Sequence, residues 1–193
     1  MKNVLLFSFC CLIIFSFQSL AQDGEQMDPE MQAWMEYMTP GEMHKMLQKS
    51  DGTWHTKVTM WMAPGTEAMM SEGTTMNEMI LGGRYQKSTH KGEMMDMPFE
   101  GMNLLAFDNA TEQFYSVWID NMGTGMMLAK GKFDEASKKV DMKGTFVDPM
   151  DGKEKPFRQT FEIVDETNHL FDMFMNDESG NEFKCMHIEY TRQ

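Results

Sequence analysis

The spacing of apolar residues divides the chain into a short helical part and a longer part with a period of two. Between residues 27 and 38, apolar side chains recur at steps of three and four, which predicts one face of a helix. These side chains belong to Met27, Met31, Trp34, Met35 and Met38. The helix is predicted to end at Thr39-Pro40-Gly41.

A second, shorter helix is predicted to follow that interruption. Thr39 would cap it, with Pro40 at its first position and Glu42 at its third. Its apolar face would consist of Met43, Met46 and Leu47.

From Trp54 onward, apolar and polar residues alternate between clusters of turn residues, which is typical of β-strands. Short connections favour antiparallel neighbours, and closing the sheet into a barrel removes its two exposed edges. We therefore predict an all-β fold, an antiparallel up-and-down (calycin-like) barrel of about ten strands, with the short N-terminal helical segment covering one end. A two-sheet sandwich is the alternative. The strands are expected at about 54–62, 73–81, 84–92, 99–107, 113–120, 125–133, 138–147, 156–165, 168–176 and 182–191.

Three residues at the ends of the strand region suggest how such a barrel closes. Gly52 and Trp54 open the first strand, and Arg192 lies near the end of the last. First and last strands are neighbours in a closed meander, so the Arg192 guanidinium would lie over the Trp54 indole as a cation–π pair. It would also bond backbone carbonyls at the base of the barrel.

This opening Gly-x-Trp with a late Arg resembles the calycin superfamily, and four longer segments are similar to the DUF1579 family. They are "HKMLQKSDGTW" (44–54), "LGGRYQ" (81–86), "LLAFDNATEQFYSVWIDNMGT" (104–124) and "GKFDEASKKVDMKGTF" (131–146). The resemblance implies a calycin-like barrel of unknown function. It supplies no catalytic residues to transfer to this chain.

The first 21 residues have the features of a secretory signal peptide. Lys2 precedes an apolar run from Val4 to Phe17, and Ser19-Leu20-Ala21 offers small residues before a cleavage point. We therefore expect a signal peptide at 1–21, a mobile or helical arm at 22–39 and the barrel domain at 40–193. The protein is expected to be exported, either periplasmic or secreted, with no stable membrane insertion after cleavage.

Charge and cysteine content narrow the classes of function. The formal net charge of −13 and the lack of Lys/Arg clusters argue against nucleic acids as partners. Cys10 and Cys11 would leave with the signal peptide, so Cys185 alone remains and no internal disulfide can form. No cofactor is indicated, and the expected partner is a small hydrophobic molecule inside the barrel.

Aromatic and polar strand residues are the candidates for lining that barrel. Trp118 and Asp120 share one face of their strand and Tyr115 lies on the other, so only one of these faces can point inward. Alternatively, Trp118 is core and Asp120 starts the following turn. Arg84 begins a polar face with Gln86, Ser88 and His90, which is either a solvated exterior or a polar lumen. The predicted ligand-binding residues are Trp61, Arg84, Tyr115, Trp118 and Asp120.

Methionine is unusually frequent, with 25 in the chain. Many of these occupy periodic apolar positions, where methionine acts as a flexible core filler. Thioethers and imidazoles also suit Cu(I) or Ag(I), so soft-metal binding is the alternative function. The candidate ligands are Met43, His44, Met46, His90, Met94, Met95 and Met97.

An enzymatic role leaves little trace in this sequence. There is no nucleophile elbow, phosphate loop or Cys-x-x-Cys. An uncharacterised enzyme using carboxylates in the lumen stays open, with Asp120 meeting Glu162 or Glu189 across the barrel. One strand histidine could instead ligate a haem, the candidates being His55, His169 and His187.

Overall fold

The computed structural model describes residues 27–193. The predicted signal peptide therefore lies outside the described residues. Two helices precede ten strands: α1 (Pro29–Met38), α2 (Glu42–Gln48), β1 (Gly52–Met60), β2 (Met69–Ile80), β3 (Tyr85–Met94), β4 (Met97–Asp108), β5 (Gln113–Asp120), β6 (Met127–Asp134), β7 (Lys139–Val147), β8 (Glu154–Ile163), β9 (Asn168–Asn176) and β10 (Glu182–Arg192). The predicted strands are all present, and their ends shift by a few residues.

The ten strands form one closed barrel in which sequence neighbours pair antiparallel. Strands β1 and β10 close it, with a register that runs from Trp54 opposite Arg192 to Met60 opposite Met186. The predicted all-β, up-and-down barrel is confirmed, and the two-sheet alternative is wrong. Among the described residues, no helix has the length and apolar character that a membrane span requires.

The two ends of the barrel differ in what covers them. The connections β1–β2, β3–β4, β5–β6, β7–β8 and β9–β10 lie together at one end, here called the mouth. The other four connections lie at the opposite end, the floor, where α2 packs. Leu47 of α2 is fully buried there in a cluster with Leu105, Phe114 and Val140. The floor half of the barrel is therefore filled by side chains.

The hydrogen bonds that cap the two helices differ in part from the sequence prediction. Asp28 caps α1, because its side chain accepts a hydrogen bond from the Glu30 N–H at 3.0 Å. Thr39 does not cap α2 as predicted; its hydroxyl donates to the Met35 carbonyl at 2.6 Å, at the end of α1. Gly41 is the N-cap of α2, and its N–H donates to His44 Nδ1 at 3.0 Å. The apolar residues of α1 share a face as predicted, but none of them is buried.

The floor is sealed by Trp54 and Arg192, as the sequence predicts. The Trp54 side chain is fully buried, and the Arg192 guanidinium carbon lies 4.2 Å from its ring centroid. Arg192 Nη1 and Nη2 donate to the carbonyls of Asp51 and Lys49, each at 2.6 Å. Its Nε donates to the Glu166 carbonyl at 2.7 Å. One side chain therefore joins the last strand, the end of α2 and the β8–β9 turn.

Gly52 is required by this closure. Its φ of +119° lies in a region that residues with a side chain rarely adopt. A Cβ at this position would also lie 2.9 Å from Arg192 Nη1. The indole Nε1 of Trp54 donates to the Ser50 carbonyl at 2.8 Å, which fixes the ring beneath the lumen.

We expect Arg192→Ala to destabilise the barrel by about 2–4 kcal/mol, because three charged hydrogen bonds and the indole contact are lost together. The melting temperature should fall by roughly 5–15 °C for a domain of this size. Arg192→Lys should recover little, since an ammonium group lacks the planar fork that reaches carbonyls on two sides. Thermal unfolding followed by circular dichroism measures both effects.

Arg84→Ala is the matched control for this experiment. Arg84 also caps carbonyls at the floor end, those of Leu81 and Met38, but it is exposed. Its removal should change the unfolding free energy by about 1 kcal/mol or less. Equal losses for the two variants would show that Arg192 does not hold the closure.

Candidate functional site

A cavity of about 910 Å³ occupies the barrel between its filled floor and its open mouth. This volume lies within the range of pockets that hold small organic ligands, roughly 300–1,000 Å³. Every strand turns alternate residues inward. Which of the two alternating sets faces inward determines the side chains that line the cavity. This cavity inside the barrel is the candidate functional site.

One wall of the cavity is polar. It is contributed by β1 to β5, and most of its polar groups have partners within the protein. Thr75 Oγ1 and His90 Nδ1 share a hydrogen bond of 2.8 Å, and Ser116 Oγ donates to Asn103 Oδ1 at 2.8 Å. The polar lining residues of this wall are Thr56, Thr75, Asn77, Gln86, Ser88, His90, Asn103 and Ser116.

The opposite wall is apolar and comes from β6 to β10. Most of its side chains are methionines, phenylalanines and one isoleucine, so a ligand against it would meet mainly carbon and thioether sulfur. The apolar residues are Met127, Met142, Phe146, Phe161, Phe171, Met173, Met175, Phe183, Met186 and Ile188. Polar groups also line this side, from Gln159, His169, Cys185 and Tyr190. The cavity is therefore amphipathic in cross-section, with two walls of opposite character.

Two buried polar atoms at the floor of the cavity have no partner within the protein. They are Asn77 Oδ1 and His169 Nε2, on side chains that line the cavity. His169 is 1% exposed and its ring lies 4.0 Å from the Trp54 ring, centroid to centroid. Buried polar groups are normally hydrogen-bonded, so these two atoms mark the place where a polar group of a ligand would bind.

Four titratable side chains that line the cavity are neutral at pH 7: His90, His169, Cys185 and Tyr190. Burial lowers the pKa of His90 to about 4. Burial, followed by the positive charge of Arg192, lowers the pKa of His169 to about 4. Burial raises the pKa of the Cys185 thiol to about 11, and it also raises the pKa of Tyr190. The site favours neutral ligand groups over charged ones at its floor.

Three of the five predicted ligand-binding residues line the cavity, towards its mouth: Trp61, Trp118 and Asp120. Trp118 Nε1 donates to Asp120 Oδ2 at 2.7 Å, while Asp120 Oδ1 accepts from the Met122 N–H at 2.9 Å. Asp120 thus lies at the cavity rim and also starts the turn. Gly101 makes room for the indole, since a Cβ there would lie 2.6 Å from the Trp118 ring.

The other two predicted lining residues lie outside the cavity. Tyr115 is on the outer face of β5, because it alternates with the inward-facing Phe114 and Ser116. Arg84 precedes β3 and donates to backbone carbonyls at the floor end, so it cannot grip an anion in the lumen. The residues that follow Arg84 do face inward, which makes their solvated interpretation wrong: Gln86, Ser88 and His90.

The predicted metal ligands are not brought to one place. Met43 and Met46 pack against the core at the floor, and His44 is buried in α2. His90 and Met94 line the cavity, whereas Met95 and Met97 are exposed at the β3–β4 turn. Within residues 27–193, no three His, Cys, Asp or Glu side chains converge as a metal site.

The structure also shows where the candidate haem-ligating histidines and the candidate catalytic carboxylates lie. Of the three strand histidines, only His169 lines the cavity; His55 lies 3.6 Å from Glu72, and His187 bonds Asp172 at 2.7 Å. The predicted carboxylate pairs do not form. Glu162 pairs with Lys139 at 2.9 Å, and Glu189 is exposed, so neither reaches Asp120.

Sequence reasoning missed Asn77 as a site residue and considered His169 only as one of three candidate haem ligands, although the predicted closure contains the signal for His169. Trp54 lies opposite Arg192, so both residues face inward. Tyr190 lies two positions before Arg192 and faces the same way, and its partner on β9 is His169. Counting across that register identifies His169 as inward-facing near the floor. Asn77 can be found in the same way, since it lies opposite Gly52 in the β1–β2 pair.

Comparison with known proteins supports the fold and leaves the activity open. The crystal structure of Rv2717c from M. tuberculosis is similar, with a TM-score of 0.60 and 11% sequence identity, covering 80% of this chain and 99% of that one. A redesigned beta barrel, b11L5F_LGL, is also found, with a TM-score of 0.40, 11% identity and coverage of 76% and 94%. No curated protein sequence matches the chain. The family described as "Protein of unknown function (DUF1579)" matches residues 39–192, so the chain belongs to the DUF1579 family.

Proposed function

We propose that the protein binds a small amphipathic molecule inside the barrel, with a neutral polar group at the floor and an apolar body along the Met/Phe wall. The observation that carries this proposal is the cavity of about 910 Å³ with two unpartnered buried polar atoms at its floor. A lumen that served packing alone would be filled by side chains, as the floor half of this barrel is.

The chemistry of the floor specifies the polar group. Asn77 Nδ2 donates to the Ser50 carbonyl at 3.0 Å, which fixes the amide orientation and leaves Oδ1 as an acceptor. A ligand must therefore donate a hydrogen bond to this atom. His169 is neutral at physiological pH, so its Nε2 cannot balance an anion. Hydroxyl and primary amide groups satisfy these conditions, whereas a carboxylate does not.

The apolar wall and the mouth favour an extended or ring-like hydrocarbon body. Methionine side chains such as Met142 and Met173 are flexible and polarizable, so this wall can adapt to several shapes. Trp61 and Trp118 lie towards the mouth, where their indoles would contact the outer part of a bound molecule. The class of ligand that fits is a neutral, mainly apolar molecule with one hydrogen-bond-donating end.

The place of action we propose is outside the cytoplasm, because residues 1–21 have the composition of a signal peptide. The negative net charge of −13 makes nucleic acids and anionic membranes poor partners. N-terminal sequencing of protein recovered from the exported fraction should give a chain that starts at Gln22. Recovery of the intact N-terminus from that fraction would contradict cleavage.

We expect dodecan-1-ol to bind in the lumen at least tenfold more tightly than dodecanoate, since burying the carboxylate beside acceptors is unfavourable. Tryptophan fluorescence in a Trp34→Phe background measures the binding, because Trp34 is exposed on α1 and far from the cavity lining. Val58→Phe should weaken binding about tenfold, about 1.4 kcal/mol, by filling the lumen.

Thr59→Phe is the control for that variant. Thr59 follows Val58 on β1 but points outward, so a phenylalanine there should leave the affinity unchanged. If neither probe alters the tryptophan signal, or if both phenylalanine variants have the same effect, the lumen is not the binding site.

The affinity for dodecan-1-ol should be constant between about pH 5 and pH 8. The pKa of His90 and of His169 is lowered to about 4, so both rings stay neutral over this range. Binding should weaken as pH falls through about 4. Folding stability should decline as pH falls from about 6.5, where an unfolded-state histidine takes up its proton, to about 4, where the folded-state rings do. Circular dichroism at each pH separates loss of binding from unfolding, and an inflection in affinity near pH 6.5 would contradict burial of these rings.

A further inference from the structure

Within residues 52–193, seven of the nine exposed methionines lie at the mouth of the barrel, whereas the exposed Met31, Met35 and Met38 belong to α1. The floor turns at 81–84, 109–112, 135–138 and 164–167 contain no methionine. The mouth connections and the adjoining strand ends carry exposed methionines in four of five hairpins: Met62, Met70, Met95, Met97, Met122, Met126 and Met150. The distribution along the barrel axis is therefore uneven, and core filling does not account for it.

Five methionines line one groove at this end, between β2 and β3. The two strands pair from Ile80 opposite Tyr85 to Gly73 opposite Gly92, where the pairing stops. Each strand continues beyond that point, β2 towards Met69 and β3 towards Met94, and the space between the two ends is a groove. Its sulfur-bearing lining consists of Met60, Met69, Met70, Met94 and Met95.

These five side chains are distinct from the methionines that fill the core. Within residues 27–193, the methionines packed in the core cluster are Met43, Met46, Met79, Met127, Met142, Met173 and Met175. The groove methionines are not among them. Met60 and Met69 are directly opposite each other in the β1–β2 pair, and all of Met60, Met69 and Met94 are half-buried.

We propose that this groove binds a soft monovalent cation, Cu(I) or Ag(I), through the thioethers of Met60, Met69 and Met94. Strand alternation places these three residues on the inner face of their strands. Met60 and Met94 line the lumen. Met69 lies two positions before Ser71 on β2, so it is on the same face as Ser71, which also lines the lumen. Met70 and Met95 have the outward parity and border the groove from outside. Thioether sulfur selects soft ions over Mg²⁺, Ca²⁺ and Zn²⁺.

The charge of the groove also favours a cation. Three acidic residues, Glu72, Glu93 and Asp96, line it together with one base, Lys91. Lys91 lies 3.4 Å from Glu100, which offsets its charge. No group of three carboxylates or histidines converges in the described part of the chain, so a hard cation finds no matching site here.

Binding of Ag(I) and Cu(I) to the whole chain tests this site. A background of Cys10→Ser, Cys11→Ser and Cys185→Ser removes competing thiols. We expect one equivalent of Ag(I) by calorimetry, and one equivalent of Cu(I) in anaerobic competition with a coloured Cu(I) chelator. The triple variant Met60→Leu/Met69→Leu/Met94→Leu preserves side-chain volume and should lose at least 100-fold in affinity.

The matched control removes the same number of thioethers from the other mouth hairpins, as Met122→Leu/Met126→Leu/Met150→Leu, and should retain full affinity. X-ray absorption of the Cu(I)-loaded parent protein should show sulfur as the coordinating atom, and this readout does not depend on the triple variant folding. Equal losses in the two triples, or nitrogen and oxygen coordination, would overturn the assignment.

Discussion

The contact between Arg192 and the first strand is the constraint on which the rest of the structure depends. Its guanidinium lies over Trp54 and donates to the carbonyls of Asp51 and Lys49 just before it, so the first and last strands are held in one register. This register determines which residues of β1 and β10 face inward, and each further antiparallel pair carries the alternation to the next strand. A register shift in β10 between Lys184 and Met186 interrupts the alternation near the mouth.

That alternation gives the cavity its two different walls. The strands from β1 to β5 turn most of the hydroxyl, amide and imidazole groups inward, and those from β6 to β10 turn mainly sulfur and aromatic carbon inward. A register shift of one residue would exchange the lining and exterior faces of the shifted strand. The polar atoms at the floor are therefore part of the same arrangement as the closure, since Asn77 bonds the Ser50 carbonyl that also accepts from Trp54.

The sequence contained most of the fold but only part of the site. A period of two shows which residues share a face, and it located all ten strands. It does not show which face is inward, so Tyr115 was wrongly assigned to the lumen, and the polar run after Arg84 had two interpretations, a solvated exterior or a polar lumen. Trp61, Trp118 and Asp120 do line the cavity. The methionine groove depends on the position at which β2 and β3 stop pairing, and no local sequence pattern reveals that position. The domain boundaries, export and ligand stay predictions.

Closure by the last residues of the chain has a consequence for how the domain forms. Arg192 and Asp51 are 141 positions apart, and the N–H of Gln193 donates to the Thr53 carbonyl at 3.0 Å. Such distant pairing is slow because loop-closure entropy is lost before any contact is gained. A growing chain therefore carries β1 with one edge unpaired until β10 has been synthesised. During that interval β1 is a template for strands of other molecules, and the newborn chain is most prone to aggregate.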